Sequence, residues 1–375
     1  MPPARVCSSG MKTKRHRRTA AVAVWLSLST FAAVASGESP PSAVAAPEEP
    51  TPLRIVFVDV GHGDCVWITT PDDGIPGNGV CEGYDIVIDG GPSSQRIVPL
   101  LTEAGLKPGA EIEWMICTHA HNDHYRGLIG VLDEYRVRNI VEPGFRSRGQ
   151  AFSAFCWLSL VEPASVFYSP AVGIPAIPGL RSLSPSVPCP LDWGGELDAV
   201  ILHSNPAVSE GNENLSSIVL RLRYGDFSIL FTGDEEGKYR DGPASSASLV
   251  EAFLLDRYCR EGENGLAATV VKVPHHGSET SSTVPFIEAV GAKEAVICAG
   301  NRYGLPDRSV VERYRSAGCR VWSTDRGDRG RPASDCHGDD DIVISSDGRS
   351  YEIRYLNPDP GGVLPVPPTA AAAGF

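Results

Sequence analysis

Short β-type segments separated by single helical stretches, in both halves of the chain, predict an α+β protein with two β-rich layers covered by helices. Three observations carry that expectation. Runs rich in β-branched and aromatic residues dominate each half. The helical stretches punctuate these runs without alternating strictly with them, which fits two layers better than a doubly wound parallel sheet. A length of 375 residues with 42% hydrophobic composition suffices for one large core or two modest ones, so disorder over most of the length is excluded. No fixed-period repeat interrupts the pattern.

The elements follow in order. A basic cluster over 12–18 runs into the apolar stretch 20–35, which closes on Ala33-Val34-Ala35. This is the pattern of a secretory signal cleaved near Ala35, and it predicts a secreted or extracytoplasmic protein. Arg17-Arg18 leaves the twin-arginine and general export routes both open. Residues 36–52, rich in Pro, Ala and Glu, read as a flexible spacer. The folded body is expected over 53–358. It opens with the strands LRIVFVDV, CVWIT, YDIVID and EWMICT, a helix over 95–104, a second over 125–135, and the strand RNIVEP. Residues 145–195, with many Pro and Ser and little charge, read as a loop-rich insertion. AVILH, SIVLRLRY and FSILFTGD follow, the last two joined by a Gly225-Asp226 hairpin. Helices over 245–261, 284–290 and 309–317 are interleaved with TVVKVP, EAVICAG and CRVWST. DIVISSD and SYEIRYL close the body, and 359–375 read as a disordered tail.

The chain carries 33 Lys+Arg against 46 Asp+Glu, a net charge of −13. Six of the basic residues and none of the acidic ones precede residue 36, so the remainder carries −19. That charge disfavours a long polyphosphate-binding surface, because such affinity comes from Lys and Arg neutralising phosphates. Without Cys7 the export signal leaves nine cysteines, an odd number in an oxidising compartment, so at least one stays unpaired or bonds between chains. Proximity suggests Cys65 with Cys81, Cys156 with Cys189, and Cys298 with Cys319. No C-x-x-C pair points to a cysteine zinc site.

The segment Thr118-His119-Ala120-His121-Asn122-Asp123-His124 concentrates the chemistry. Residues at i and i+2 of an extended stretch share a side, so His119 and His121 can converge on one metal. Asp123 and His124, at the start of the following helix, can turn toward a second. Three imidazoles and a carboxylate in six residues are hard to reconcile with packing, since each would need its own buried partner.

With later segments in order, the chain resembles the metallo-β-lactamase superfamily, whose H-x-H-x-D-H signature stands at 119–124. Ile88-Asp89-Gly90-Gly91, Phe231-Thr232-Gly233-Asp234 and His275-His276-Gly277-Ser278 match its further strand-end segments. Within the superfamily the likeness is to the ComEC-type competence hydrolase branch, through Asp59-Val60-Gly61-His62-Gly63-Asp64, Asn212-Glu213-Asn214-Leu215-Ser216-Ser217 and Asn301-Arg302-Tyr303-Gly304-Leu305-Pro306. His62 stands where that pattern has Gln, and Leu305 where it has His. The resemblance covers about 53–356 and implies an αββα sandwich of two mixed β-sheets covered by helices.

It further implies two divalent ions, Zn²⁺ or Mn²⁺, held by His119, His121, Asp123, His124, Asp234 and His276, with Asp234 as the bridge. Asp89 would orient the metal loop, and Asp64, Asn214 and Asn301 would support the ligands from behind. Asp59 reads equally well as a former of the strand-end turn. Asp123, His275 and Lys272 are the catalytic candidates. His275 would contact developing charge or the leaving group, although exchange of roles between His275 and His276 stays open, and Lys272 and Ser278 would add substrate contacts. The third histidine usual on the first ion has no counterpart just before Asp234; His203 is the only one in that interval and reads as peripheral. Two ions would lower the pKa of a shared water and clamp an oxyanion. The expected activity is therefore that of an exported phosphodiesterase or nuclease acting on an anionic phosphoester, with no stable membrane partner implied. A lactone, lactam or other small-ester hydrolase and a non-catalytic wall-associated module are the alternatives.

Overall fold

A computed structural model describes residues 52–71, 83–144, 149–162, 166–168, 180–181, 188–209, 211–260, 262–300, 303–325 and 340–357. The expected signal segment, nearly all of the spacer, the tail, and Cys7, Cys81, Cys336 and Asn301 lie outside the described residues. No helix among the described residues is long and apolar enough to cross a membrane.

The first sheet begins with β1 (Leu53–Phe57), β2 (Cys65–Thr69) and β3 (Asp85–Gly90). It continues through α1 (Ile97–Glu103), β4 (Glu111–Ile116), α2 (Asn122–Glu134), β5 (Arg136–Val141), α3 (Gln150–Val161), β6 (Val166–Tyr168) and β7 (Leu180–Arg181). The second sheet is built from β8 (Cys189–Leu191), β9 (Leu197–His203), β10 (Val219–Tyr224), β11 (Phe227–Phe231), β12 (Val270–Lys272), β13 (Glu294–Ile297) and β14 (Arg320–Ser323), with α4 (Val250–Tyr258), α5 (Val284–Val290) and α6 (Arg308–Ser316) between its later strands. The chain then returns to the first sheet as β15 (Ile342–Ser346) and β16 (Tyr351–Tyr355). Strand order is β16-β15-β1-β2-β3-β4-β5-β6-β7 in one sheet and β14-β13-β12-β11-β10-β9-β8 in the other. Each sheet is mixed: antiparallel strands occupy one part and parallel strands the other.

The period-2 pleat sorts the apolar residues into three cores and thereby sets the layers. Ile55 and Phe57 of β1, Trp114 and Ile116 of β4, and Ile229 and Phe231 of β11 meet between the sheets. Their sequence neighbours Val56, Met115 and Leu230 point the other way, under the helices. Ile97, Leu101, Leu128, Val131, Phe152 and Phe155 of α1 to α3 cover the first sheet. Leu254, Phe286, Ile287, Val310 and Tyr314 of α4 to α6 cover the second. Both faces of each sheet are therefore buried, which is why the strands read as nearly continuous apolar runs. This is the four-layered αββα sandwich.

Two expectations need correction. The stretch 145–195 is not simply a loop-rich insertion: it contains the helix α3, two strands that extend the first sheet, and β8 of the second. α3 was hidden because it carries almost no charge, so its buried face, Phe152 and Phe155 against Tyr125 at 5.1 and 5.7 Å, has no polar counterpart to set a period. The cysteine pairings also fail. Cys65, Cys189, Cys298 and Cys319 are free thiols. Cys298 sits between the sheets while Cys319 lies in the core beneath the helices of the second sheet, so closeness in sequence puts them on opposite faces.

Candidate metal centre

The carboxyl ends of β3, β4, β11 and β12 release their chains at one edge of the sandwich, and the polar residues gather there. β3 ends in Asp89, whose backbone is left-handed (φ 55°). Its carboxylate accepts the Thr118 backbone N–H at 2.8 Å and the Thr118 hydroxyl at 2.6 Å. The same carboxylate accepts His124 Nδ1–H at 2.8 Å. Asp89 thus ties the loop after β4 to the end of β3 and fixes the His124 tautomer, leaving Nε2 to face inward.

Beyond Thr118 the chain is extended, and His119 Nε2 comes to 3.0 Å from His121 Nδ1. α2 then starts at Asn122, bringing Asp123 and the buried His124 onto its first turn. β11 delivers Asp234, whose backbone N–H donates to Ser217 Oγ at 3.1 Å. Asp234 Oδ2 lies 3.8 Å from His119 Nε2, 3.3 Å from His124 Nε2 and 3.1 Å from His276 Nε2. After β12 the turn Pro274–Gly277 holds His275 and His276 at φ 48° and 51°. Two adjacent left-handed residues that are not glycine are rare and strained, and such strain concentrates at functional sites. Here it sends the two rings apart. His276 donates Nδ1–H to the Cys298 carbonyl at 2.7 Å and turns Nε2 to Asp234 and, at 3.5 Å, to Asp123 Oδ2. His275 faces Thr280 and Glu236, both at 3.1 Å, with Asn214 Nδ2 at 3.4 Å from its Nε2.

The donors fall into groups that suit a cation. His119, His121 and Asp234 form one; Asp64, His124, Asp234 and His276 a second; His62, Asp123 and His276 a third, with the atoms of each within 4.8 Å of one another. Asp234 is common to the first two groups and His276 to the last two. Two donors each about 2.1 Å from one ion stand about 3.0–3.4 Å apart at cis-octahedral or tetrahedral angles. The separations of 3.0, 3.1, 3.3 and 3.5 Å lie close to that range. Asp64 Oδ1 and Asp234 Oδ1 are buried with no hydrogen-bond partner, as ligand atoms awaiting a cation would be.

With both Nδ1 positions donating outward, neutral His124 and His276 would aim Nε2 lone pairs at each other across 3.4 Å and at the Asp234 carboxylate. The free protein relieves this with protons. Burial opposes charge on His124, but Asp234, Asp89 and Asp64 hold it protonated well above the ordinary imidazole range. His276 behaves in the same way, with Asp234 and Asp123 outweighing burial. His119 goes the opposite way, pushed well down by burial and then by the charge of His124. Divalent cations would replace these protons.

Other expected site residues are placed as follows. Asp64 is part of the second group as well as a support. Asn214 sits beside His275 at the rim. Asp59 forms a strand-end turn, its Oδ1 accepting the Gly61 N–H at 3.0 Å. Lys272 does not contact substrate space: it is 1% exposed, donates to the Gly233 carbonyl at 2.8 Å, and pairs with Asp64. Ser278 is likewise buried, within 3.0 Å of Thr280 Oγ1. His203 belongs to none of the groups; it donates Nδ1–H to the Ser217 carbonyl at 2.8 Å, and burial pushes it down to about 4. Sequence reasoning missed Glu236, which holds His275, and Glu213, 3.7 Å from His121 Nε2. Only their places near Asp234 and within the Asn-rich segment could have signalled them.

Mixed sheets enclosed by helices, with imidazoles and carboxylates gathered at the strand ends, define a metal-dependent hydrolase fold. The chain belongs to the metallo-β-lactamase superfamily, whose model matches residues 82–301. It is similar to the uncharacterized protein YcaI of Escherichia coli (strain K12), 29% identical over 72% of this chain and 28% of that protein. ComE operon protein 3 of Bacillus subtilis (strain 168) is 25% identical over 73% of this chain and 32% of its own length. The competence-type likeness read from the motifs is therefore found, and the chain spans less than a third of the length of these relatives. Among solved structures, Tm1679, a metal-dependent hydrolase of the beta-lactamase superfamily, matches 72% of this chain and 95% of its own at 14% identity and a TM-score of 0.38, too low to carry further argument.

Proposed function

We propose that this protein is an exported phosphodiesterase that uses two divalent ions, Zn²⁺ or Mn²⁺, to hydrolyse a small or end-on anionic phosphoester. The observation that carries the reading is Asp234 Oδ2, which is shared between the group of His119 and His121 and that of His124 and His276. One carboxylate oxygen flanked by two donor groups would let Asp234 help hold a cation in either group. When bound, such ions supply an activated water and neutralise charge on a phosphoryl group.

The residues do the rest. Asp89 and the Cys298 carbonyl hold the imidazole tautomers, Ser217 aims Asp234, and His275 stands at the rim beside Asn214 and Glu236, where a leaving oxygen could take a proton. The side chain of His121 is 41% exposed and that of Asp123 26%, so the site opens on that side. Export is supported by the basic and apolar segments before residue 36. The net charge of −19 that follows them supports a compact substrate over a wrapped polymer.

The test is metal analysis of the protein followed by assay on bis(p-nitrophenyl) phosphate with each metal, alongside DNA, RNA, phosphocholine esters and a lactone. Asp234→Ala should abolish phosphodiester turnover with the fold retained. Turnover unchanged in that variant, or turnover of the lactone alone, would defeat the proposal.

A further inference from the structure

We infer that His62 is a further ligand of the second ion, making that position richer in imidazole and selective for Zn²⁺ over Mn²⁺; this rests on the metal-dependent reading of the site. The loop that carries it is built onto the metal loop itself. Asp64 N–H donates to the Asp123 carbonyl at 3.2 Å, and the Asp64 carbonyl accepts Gly91 N–H at 2.8 Å. The approach is so close that a Cβ on Gly63, at φ +141°, would stand 2.3 Å from the Asp123 carbonyl oxygen. On the other side Gly300 packs against the His62 backbone, where a Cβ would stand 2.5 Å from its nitrogen. Main chain is thus held on both sides, and the side chain at position 62 is delivered onto Asp123 and His276.

His62 Nε2 lies 3.5 Å from Asp123 Oδ2, which is itself 3.5 Å from His276 Nε2. These separations are close to the 3.1 Å between His276 Nε2 and Asp234 Oδ2, near enough for one cation to draw the donors together. The ring is 4.5 Å from that of His276 and edge-on to Tyr303 at 5.0 Å, and its Nδ1 is buried without a hydrogen-bond partner. Among the described residues, packing therefore orients His62, whereas His124 and His276 are held through their outer nitrogens. Among the described residues, the imidazole and carboxylate groups beside it are those of the ligand cluster, which an inert core histidine would have no reason to face.

Taken together, the two donor groups that share His276 offer the carboxylates Asp64, Asp123 and Asp234 and the imidazoles His124 and His276, so His62 raises the imidazole share there from two donors of five to three of six. Imidazole favours zinc and oxygen donors favour manganese, so the histidine sets the selectivity of the second position. Gln, which the family pattern has here, supplies the control substitution.

The experiment titrates the full chain with Co²⁺, read by its d–d absorption, and measures Zn²⁺ and Mn²⁺ affinity by chelator competition. His62→Gln should weaken Zn²⁺ at one of two positions by at least about tenfold, leave Mn²⁺ nearly unchanged and alter the cobalt band. His62→Ala should reproduce the zinc loss. Wild-type cobalt uptake with an unaltered band and affinities in H62Q, or a loss in H62Q that is absent from H62A, would overturn the assignment of His62 alone. No cobalt uptake by the wild type would overturn the metal centre and this inference together.

Discussion

Lys272→Met tests whether the buried lysine acts on substrate or holds the site together. Lys272 is 1% exposed, and its ammonium is ion-paired with Asp64, 2.8 Å from the Gly233 carbonyl and 3.6 Å from Asp234 Oδ1. Removing it leaves Asp64, 4% exposed, with His124 at 3.8 Å and His276 at 3.4 Å as its remaining ion-pair partners among the described residues. Truncating one partner of a buried pair costs about 3–5 kcal/mol, a large share of the roughly 5–15 kcal/mol that stabilises a domain. Chelator-treated wild type and variant should differ by that amount in guanidinium unfolding near neutral pH. Burial opposes ionisation of Asp64, but Lys272 and the histidines hold its carboxyl below the usual range. That contribution is therefore present above the unfolded carboxylate pKa and lost as pH falls through the folded one, so the gap between wild type and variant narrows in acid. Adding Asp64→Asn should recover part of the loss, since both charges are then gone. A Lys272→Met protein within about 1 kcal/mol of wild type but deficient in turnover would refute the structural role and return Lys272 to the substrate.

Asp89→Asn removes the carboxylate that orients His124 and should weaken metal binding about 10- to 100-fold in chelator competition; an unchanged constant would discount that hydrogen bond. In the metal-free protein His124 and His276 have raised pKa values, so their contribution is full below the unfolded imidazole value of 6.5 and lost as pH rises through the folded values. The thermal midpoint under chelator should therefore fall from neutral to alkaline pH, and metal uptake should release protons, measurable by calorimetry in buffers of different ionisation enthalpy. A midpoint that climbs with pH over that window would contradict the clustered protons.

Much of the site is local and therefore legible. His119, His121, Asp123 and His124 are spaced by an extended stretch that runs into a helix, and the chain geometry alone brings them to one place. The strands are equally local: buried on both faces, they announce themselves as apolar runs, and the Gly225-Asp226 turn joins β10 to β11 as its residues predict. α3 escaped notice because a helix without charges has no visible polar face.

The sequence by itself determined the class of fold, the order of its elements outside 145–195 and the kinds of atom that would gather at the strand ends. Tertiary structure decided which of those atoms meet. Adjacent histidines at 275 and 276 part company through two left-handed residues, a conformation that no spacing rule encodes. Lys272, on a strand beside the ligands, is consumed by Asp64 from more than 200 positions away, and His62 is carried onto Asp123 by glycines that admit no side chain. Periodicity along a chain reports which face a residue takes. What that face meets depends on two sheets closing over one another, and the contacts made there are as distant in sequence as Asp59 and Asp341.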